Sequence, residues 1–225
     1  GLQSIIDMMK PYTISYTQKE AGFKVQTNEE ILYVDVPSGL RKIIKRLSTD
    51  RVIEGKDQVV LADTAVKLMS KTHQLYSGTV KFESGKSMVL DSTKAKFIQS
   101  VFKNKKIAIF YKFTAEYEAI KEVFGDSICN TLDEFCNTDK SIALQIVSGR
   151  EGISLKQAVA LVYYNIDFSA TSYWQSRDRM TTKDRLYNKV YWIFSKGGIE
   201  DQIYKAVVKK KDYTLTHFKK DLLTL

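Results

Sequence analysis

Arginines and glycines, rather than acids or thiols, carry the chemistry legible in this chain. Ser148-Gly149-Arg150-Glu151-Gly152 interrupts an apolar stretch with two glycines, which allow a tight turn and close approach to a ligand. Backbone N–H groups in such a loop can meet a phosphate or a nucleotide edge. Further on, Gln175 and Arg179 are four apart, which on a helix places them on one face. A guanidinium stays charged and presents a planar fork of donors, so Arg179 suits bidentate contact with phosphate oxygens. The alternative for it is a surface arginine paired with a carboxylate such as Asp178. Tyr111-Lys112-Phe113 combines aromatic rings with a cation, as single-strand binding grooves do.

The elements that must position these residues follow from apolar periodicity. Ile142–Val147 and Ala158–Tyr164 are strand-length runs flanking the glycine loop, and a helix is expected from about Ala170. Before them, Lys106–Tyr111 reads as a strand, Ala115–Phe124 as a helix ended by Gly125, and Lys94–Phe102 as a helix capped by Ser92 or Thr93. Ser127–Thr131 and Lys189–Phe194 are further strands, and Ile199–Val208 is an amphipathic helix followed by Lys209-Lys210-Lys211. Alternating strands and helices predict an α/β fold with a mostly parallel sheet flanked by helices. In such sheets ligands bind at the carboxyl ends of the strands, where the glycine loop and the helix start converge.

The first 90 residues read as an N-terminal helical and hairpin appendage, with residues 91–225 as the main lobe. Ile31–Val36 is a strand candidate, Leu40–Leu47 a helix with a basic outer face, and Leu61–Leu75 a second amphipathic helix. Thr79–Phe82 and Ser87–Leu90 predict a hairpin turning at Ser84-Gly85. His73 has no partner at ligand spacing and reads as a helix-surface histidine. Cys129 and Cys136, the two cysteines of the chain, form neither a disulfide framework nor a zinc pattern and read as reduced thiols. No metal site is expected.

Among 225 residues, 35 Lys and Arg outweigh 26 Asp and Glu, a net charge of +9 that fits a polyanionic partner. Residues 1–30 hold no apolar run long enough for a signal peptide or a membrane span, so a cytoplasmic location is expected. The opening Gly1-Leu2, without an initiator Met, suggests an expressed fragment. No G-x-G-x-x-G occurs, which argues against a dinucleotide-binding enzyme. No G-x-x-x-x-G-K-[ST] occurs either, so the phosphate cradle of a P-loop is missing.

These residues resemble motifs V and VI of superfamily 2 helicases, in the form carried by Swi/Snf-type ATPases and their phage relatives. Gly152-Ile153-Ser154-Leu155 is similar to the G-I-N-L of motif V, with Gly149 at an earlier glycine. Gln175-Ser176-Arg177-Asp178-Arg179-Met180 resembles the Q-A-x-D-R-x that opens motif VI. His73-Gln74-Leu75-Tyr76-Ser77-Gly78 resembles the L-x-Q-x-x-S-G that precedes the second lobe, and Lys106–Tyr111 with its helix resembles motif IV. The family places a second arginine where this chain has Thr182; Arg185 follows three residues later.

The resemblance implies the second RecA-like lobe of a nucleic-acid-dependent helicase or translocase. Arg179 and Gln175 would be catalytic, and Gly152, Gln175, Arg179 and Arg185 would meet ATP. Lys112, Ser148, Gly149 and Arg150 would touch nucleic acid, most naturally double-stranded DNA. ATP and Mg2+ would be held mainly by a first lobe, and this lobe alone would be inactive. The implied setting is a bacterial or phage-infected cell. A non-enzymatic nucleic-acid-binding module, supported by the basic Arg41–Arg46 and Lys209–Lys211 stretches, is the other reading.

Overall fold

The apolar runs between residues 107 and 194 send alternate side chains to opposite faces, and both faces are covered. Ala108, Phe110, Leu161, Tyr163, Trp192 and Phe194 belong to one buried cluster. Ile107, Ile109, Val162, Tyr164 and Ile193 belong to the other. A strand buried on both sides has no polar face, which is why these runs lack polar alternation.

A computed structural model describes residues 26–55, 57–149, 153–177, 179–181 and 187–222. In chain order, β1 (Gln26–Val34) leads to α1 (Ser38–Asp50) and a short hairpin of β2 (Val52–Glu54) and β3 (Val59–Leu61). Next come α2 (Ala65–Tyr76), the hairpin β4 (Thr79–Lys81) and β5 (Ser87–Val89), and α3 (Thr93–Val101). The alternating part runs β6 (Ala108–Tyr111), α4 (Thr114–Phe124), β7 (Ile128–Cys129), α5 (Leu132–Asn137), β8 (Ser141–Gln145) and the single turn α6 (Ile146–Gly149). It ends with β9 (Leu161–Tyr163), α7 (Ala170–Arg177), β10 (Tyr187–Ser195), α8 (Glu200–Val207) and α9 (Leu215–Leu222).

Among the described residues, six strands form one sheet in the order β1-β10-β9-β6-β8-β7, and every neighbouring pair is parallel. Helices α3 and α4 cover one face through Ala95, Ile98 and Ile120. The other face carries Leu40 and Leu47 of α1, Leu68 of α2, Tyr173 of α7, Ile203 of α8 and Phe218 of α9. The expected RecA-like α/β architecture is therefore present.

Several elements differ from expectation for identifiable reasons. The strand expected at Ile31–Val36 begins at Gln26 and pairs with β10 along its whole length, from Gln26 opposite Tyr187 to Val34 opposite Ser195. Residues 26–34, expected in the appendage, thus form an edge strand of the central sheet. Their exposed Gln26, Asn28 and Glu30 masked the strand pattern. Strand β8 stops at Gln145 rather than Val147, because its neighbour β6 ends at Tyr111, directly opposite, and a longer strand would lack a partner. The β2–β3 hairpin has strands of three residues, too short for a periodic signal. The Thr79–Ser87 hairpin forms as expected, with Gly85 at φ +86° in its turn. Gly78, which precedes it, combines φ +81° with a carbonyl of Asp91 that would lie 2.3 Å from any Cβ, so only glycine fits there.

A buried ion pair ties the first turn of α3 to that of α8. Lys94 Nζ lies 3.1 Å from Glu200 Oε1, with the two side chains 4% and 0% exposed. Glu200 Oε1 also accepts from the Ser195 N–H at 3.3 Å, while Oε2 is buried without a hydrogen-bond partner. Lys94→Met should therefore destabilise the fold by about 3–5 kcal/mol, because it leaves a buried carboxylate without its counter-charge. Adding Glu200→Leu should recover most of that loss, and equilibrium urea unfolding of both variants checks the pair.

Candidate functional site at the carboxyl edge of the sheet

Strands β6, β8 and β9 end side by side, with Tyr111 opposite Gln145 and Phe110 opposite Tyr163. The segments that follow them converge: Lys112-Phe113, the α6 turn, and residues 165–169. Gln145 Nε2 donates to the Lys112 carbonyl at 3.0 Å. The Lys112 ammonium is ion-paired with Asp167 and sits 4.5 Å from the centre of the Phe168 ring. Burial alone would raise the Asp167 carboxyl, but the charge and hydrogen bond of Lys112, with donors from Ser172 and the Phe168 N–H, hold it below the usual carboxylate range. Beside this pair opens a cavity of about 200 Å³ whose polar lining includes Gln74, Lys81, Ser87, Lys112, Thr114 and Gln145.

Beneath Lys112 lies a chain of buried polar groups. Glu116 Oε2 accepts from the N–H of Lys112 at 2.7 Å and of Phe113 at 3.0 Å, and Oε1 accepts from Asn165 Nδ2 at 2.5 Å. Asn165 Oδ1 takes the Ile166 N–H at 2.8 Å and faces His73 Nε2 at 2.5 Å. An amide oxygen only accepts, so the His73 proton is on Nε2 and Nδ1 is the atom left without a partner. The histidine expected on a helix surface is in fact wholly buried, between the rings of Phe113 and Phe168 at 5.3 and 4.8 Å. An apolar surrounding and one specific acceptor explain the reversal: a neutral imidazole packs as an aromatic ring with one polar tip.

Helix α7 carries the first residues of the stretch that resembles motif VI, Gln175 to Arg177. Tyr173 is buried and stacks on Trp192 with ring centres 5.3 Å apart. Trp174 is only half-buried and donates from Nε1 to the Val207 carbonyl at 3.2 Å. Gln175 is exposed. The helix ends at Arg177, so Arg179 lies in the turn beyond it rather than on one helical face with Gln175. Thr, Ser, Tyr and Trp propagate a helix poorly, and the Ser176 hydroxyl donates back to the Ser172 carbonyl at 2.7 Å. Arg177 is engaged, with Nη1 2.9 Å from Glu29 Oε1.

Arg179 is joined to the other motif. Its carbonyl accepts from the Leu155 N–H at 2.9 Å, binding the segment after the glycine loop to the motif VI turn. Its Nε is buried and has no hydrogen-bond partner among the described residues. The α6 turn, which contains Ser148 and Gly149, lies against both the end of β6 and α7. Lys112, Ser148, Gly149, Gln175 and Arg179 thus stand on neighbouring elements of one edge. Arg150, Gly152 and Arg185, with Glu151, Asp178, Thr182 and Lys183, fall outside the described residues.

A cavity of about 820 Å³ opens at the opposite, amino edge beside Phe102, Lys105, Phe124 and Ser141, and no residue of the stretches resembling motifs V and VI lines it. Among the described residues no three His, Cys, Asp or Glu side chains converge on a metal position, and Cys129 and Cys136 are free thiols. No described helix is long and apolar enough to cross a membrane. Sequence reasoning missed Glu29, Glu116 and Asn165. Glu116 was findable as an acid in the first turn of the expected helix, three residues after the Phe113 N-cap, where it reaches back to free N–H groups.

No model of a known family matches the chain, and no curated protein matches it. Solved structures do. The Sulfolobus solfataricus SWI2/SNF2 ATPase core domain aligns with a TM-score of 0.55 and 17% identity, covering 82% of this chain and 43% of that one. The same organism's SWI2/SNF2 ATPase core in complex with dsDNA aligns with a TM-score of 0.51 and 14% identity, over 92% of this chain and 50% of that one. The C-terminal part of the Fun30 ATPase domain aligns over 54% of this chain and 45% of its own length, at 19% identity and a TM-score of 0.42. The chain spans half or less of the length of each of these structures. The two Sulfolobus likenesses define the fold: this is a RecA-like lobe of the kind found in Swi2/Snf2 ATPase cores.

The buried histidine gives a pH test of the polar chain. Burial, then the charge of Lys112, lowers the His73 pKa well below the usual imidazole value, so the fold keeps it neutral. The unfolded chain takes up that proton as pH falls through about 6.5, which stabilises the unfolded state on acidification. Between about pH 7.5 and about pH 5.5 the protein should lose about 1.4 kcal/mol more stability than His73→Gln does. Denaturant unfolding at the two pH values measures the difference.

Proposed function

We propose that the chain is the second lobe of a Swi/Snf-type, nucleic-acid-dependent ATPase that acts on double-stranded DNA. The observation that carries this reading is the Leu155–Arg179 hydrogen bond, which ties the motif V segment to a partly buried arginine whose Nε has no partner among the described residues. A guanidinium N–H withdrawn from water without an acceptor is costly, and an incoming anion would satisfy it. The site fits the phosphates of a nucleotide in this respect. It does not fit magnesium, for which no described cluster of acids exists. Bound Mg·ATP would supply the phosphoryl group that is transferred to water, with the metal held by the first lobe.

Within this proposal Arg179 stabilises negative charge that develops on the phosphoryl oxygens, and Gln175, exposed on the helix before it, helps orient the nucleotide. Gly152 and Arg185 complete the ATP contacts, Arg185 in place of the arginine missing at Thr182. Lys112, Ser148, Gly149 and Arg150 meet the DNA backbone. Asp167 already neutralises Lys112, so a phosphate must displace or share that partner, and the contact is weaker than a free lysine would give. The first RecA-like lobe of a longer parent is the obligate partner. The setting proposed is the cytoplasm of a bacterial or phage-infected cell.

ATP hydrolysis tests the catalytic role. The chain alone should show no turnover; joined to its first lobe it should hydrolyse ATP when nucleic acid is added. In that two-lobe enzyme Arg179→Ala should lower kcat about a thousandfold while ATP affinity stays within a few-fold, because a finger acts on transition-state charge. Arg179→Lys should recover little, since an ammonium lacks the planar fork. Normal hydrolysis by a folded Arg179→Ala enzyme would sink the assignment.

Titration of labelled duplex over a range of salt concentrations tests the DNA role. Affinity should fall steeply with salt and be indifferent to sequence. Lys112→Ala should weaken binding uniformly and reduce the salt slope by about one. Sequence-selective, salt-insensitive binding would point to a dedicated recognition module instead.

A further inference from the structure

Glu29 stands on β1, far in sequence from the motif VI helix, and its carboxylate is only 13% exposed. Donors surround it. Tyr173 Oη lies 2.9 Å from both oxygens, Trp192 Nε1 2.9 Å from Oε2, and Tyr204 Oη 3.3 Å from Oε2. Arg177 Nη1 completes the ring at 2.9 Å from Oε1. Burial first, then the charge of Glu29, raises the pKa of both tyrosines, so they remain protonated and donate. The rings also pack on one another, with Trp192 5.3 Å from Tyr173 and 5.6 Å from Tyr204, and the Arg177 guanidinium 4.8 Å from the Trp174 ring centre.

Two of the four donors, Tyr173 and Arg177, belong to α7. That helix is eight residues of mostly poor helix formers, so its orientation has to come from tertiary contacts rather than from its own propensity. Glu29 offers a fixed reference, because β1 is paired with β10 over nine consecutive residues. A neutral residue could fill the aromatic box. Only a carboxylate also fixes Arg177 by charge, and Arg177 is the last residue of the helix, two before Arg179.

We propose that Glu29 is the positioning residue of α7: from the edge strand it sets the orientation of the helix, and through it the placement of Gln175 and Arg179. The significance for catalysis rests on the role proposed above for Arg179; the latch itself does not. A displacement on the order of 1 Å at a reacting centre can cost a hundredfold in rate, so a residue that never touches substrate can still govern turnover.

The test uses Glu29→Gln in the full-length protein, which keeps an acceptor for the phenols but removes the charge that holds Arg177. Arg177→Gln approaches the same contact from the helix side, should the strand variant fold poorly. Hydrogen exchange followed by mass spectrometry should show amides of residues 170–177 exchanging about tenfold faster or more, with α3 and α4 unchanged. Nucleic-acid-stimulated ATP hydrolysis should show kcat per folded molecule falling about tenfold to a hundredfold, with KM for ATP within about twofold. The double variant should be no slower than the worse single one, since both break one contact. Unchanged exchange in α7 overturns the latch. Faster exchange with unaltered kcat overturns its role in placing Gln175 and Arg179. If the unmutated two-lobe enzyme hydrolyses no ATP while α7 still responds to Glu29→Gln, the latch stands and the ATPase reading falls.

Discussion

The carboxyl edge of the sheet depends on one buried carboxylate, Glu116. Between β6 and α4 the chain passes from strand to helix in two residues, Lys112 and Phe113, whose N–H groups have neither a strand partner nor a helical one. Glu116 takes both, and takes Asn165 as a further donor. Burial pushes its carboxyl above the usual carboxylate value, and these donors pull against that shift without cancelling it. Without an acceptor at this place the two N–H groups would be stranded, at about 1–3 kcal/mol each. The backbone of Lys112 is therefore set from below, while its side chain is set from beside it by Asp167.

The same network explains why α2 belongs to the lobe's core rather than to a separate layer. Its C-terminal turn is fastened where β9 and β10 end. His73 meets Asn165, Tyr164 Oη donates to the Ser77 carbonyl at 3.4 Å, and Ser195 Oγ donates to the Tyr76 carbonyl at 2.5 Å. Gln74 Oε1 accepts from the Lys81 N–H at 2.9 Å, so the hairpin is pinned to the same turn. Apart from His73 Nδ1 and Arg179 Nε, these polar groups are paired into chains that cross from one element to the next, and such pairing specifies one arrangement of the elements.

How far this was legible in the residues depends on whether a signal is local. Strands such as Lys106–Tyr111 and helices such as Ala115–Phe124 announce themselves, because burial on one or two faces imposes a period that needs no knowledge of the partner. Site residues are harder. The glycine loop and Gln175–Arg179 were visible by type and spacing, yet the helix stopped short of Arg179 because Ser176 within it bonds the backbone one turn back. His73 misled because solvent exposure was inferred from a lack of sequence neighbours, whereas its partner Asn165 is 92 residues away. Glu29 shares the inward parity of Thr27 and Ile31 on β1, which was a signal, but polar neighbours at Gln26, Asn28 and Glu30 drowned it. Long-range polar pairs leave almost no trace in one sequence, since each partner alone looks like ordinary surface.

The two polar clusters also bear on the choice between an ATPase lobe and a plain nucleic-acid-binding module. A binding module needs exposed cations along a groove, and the chain has such groups on α1, where Lys42, Lys45 and Arg46 face solvent. It has no use for cations drawn out of water at a sheet edge. Arg177 is held there by Glu29 and by the rings of Tyr173 and Trp174, and Arg179 is held with a guanidinium N–H that no described residue accepts. Each arrangement costs stability that a surface lysine would not. Partly buried and incompletely satisfied arginines suit preorganised stabilisation of a phosphoryl group, because donors already partly desolvated need less reorganisation when charge develops. Economy therefore favours the catalytic reading: the expense lies on the element that would meet nucleotide, and the inexpensive exposed cations lie elsewhere.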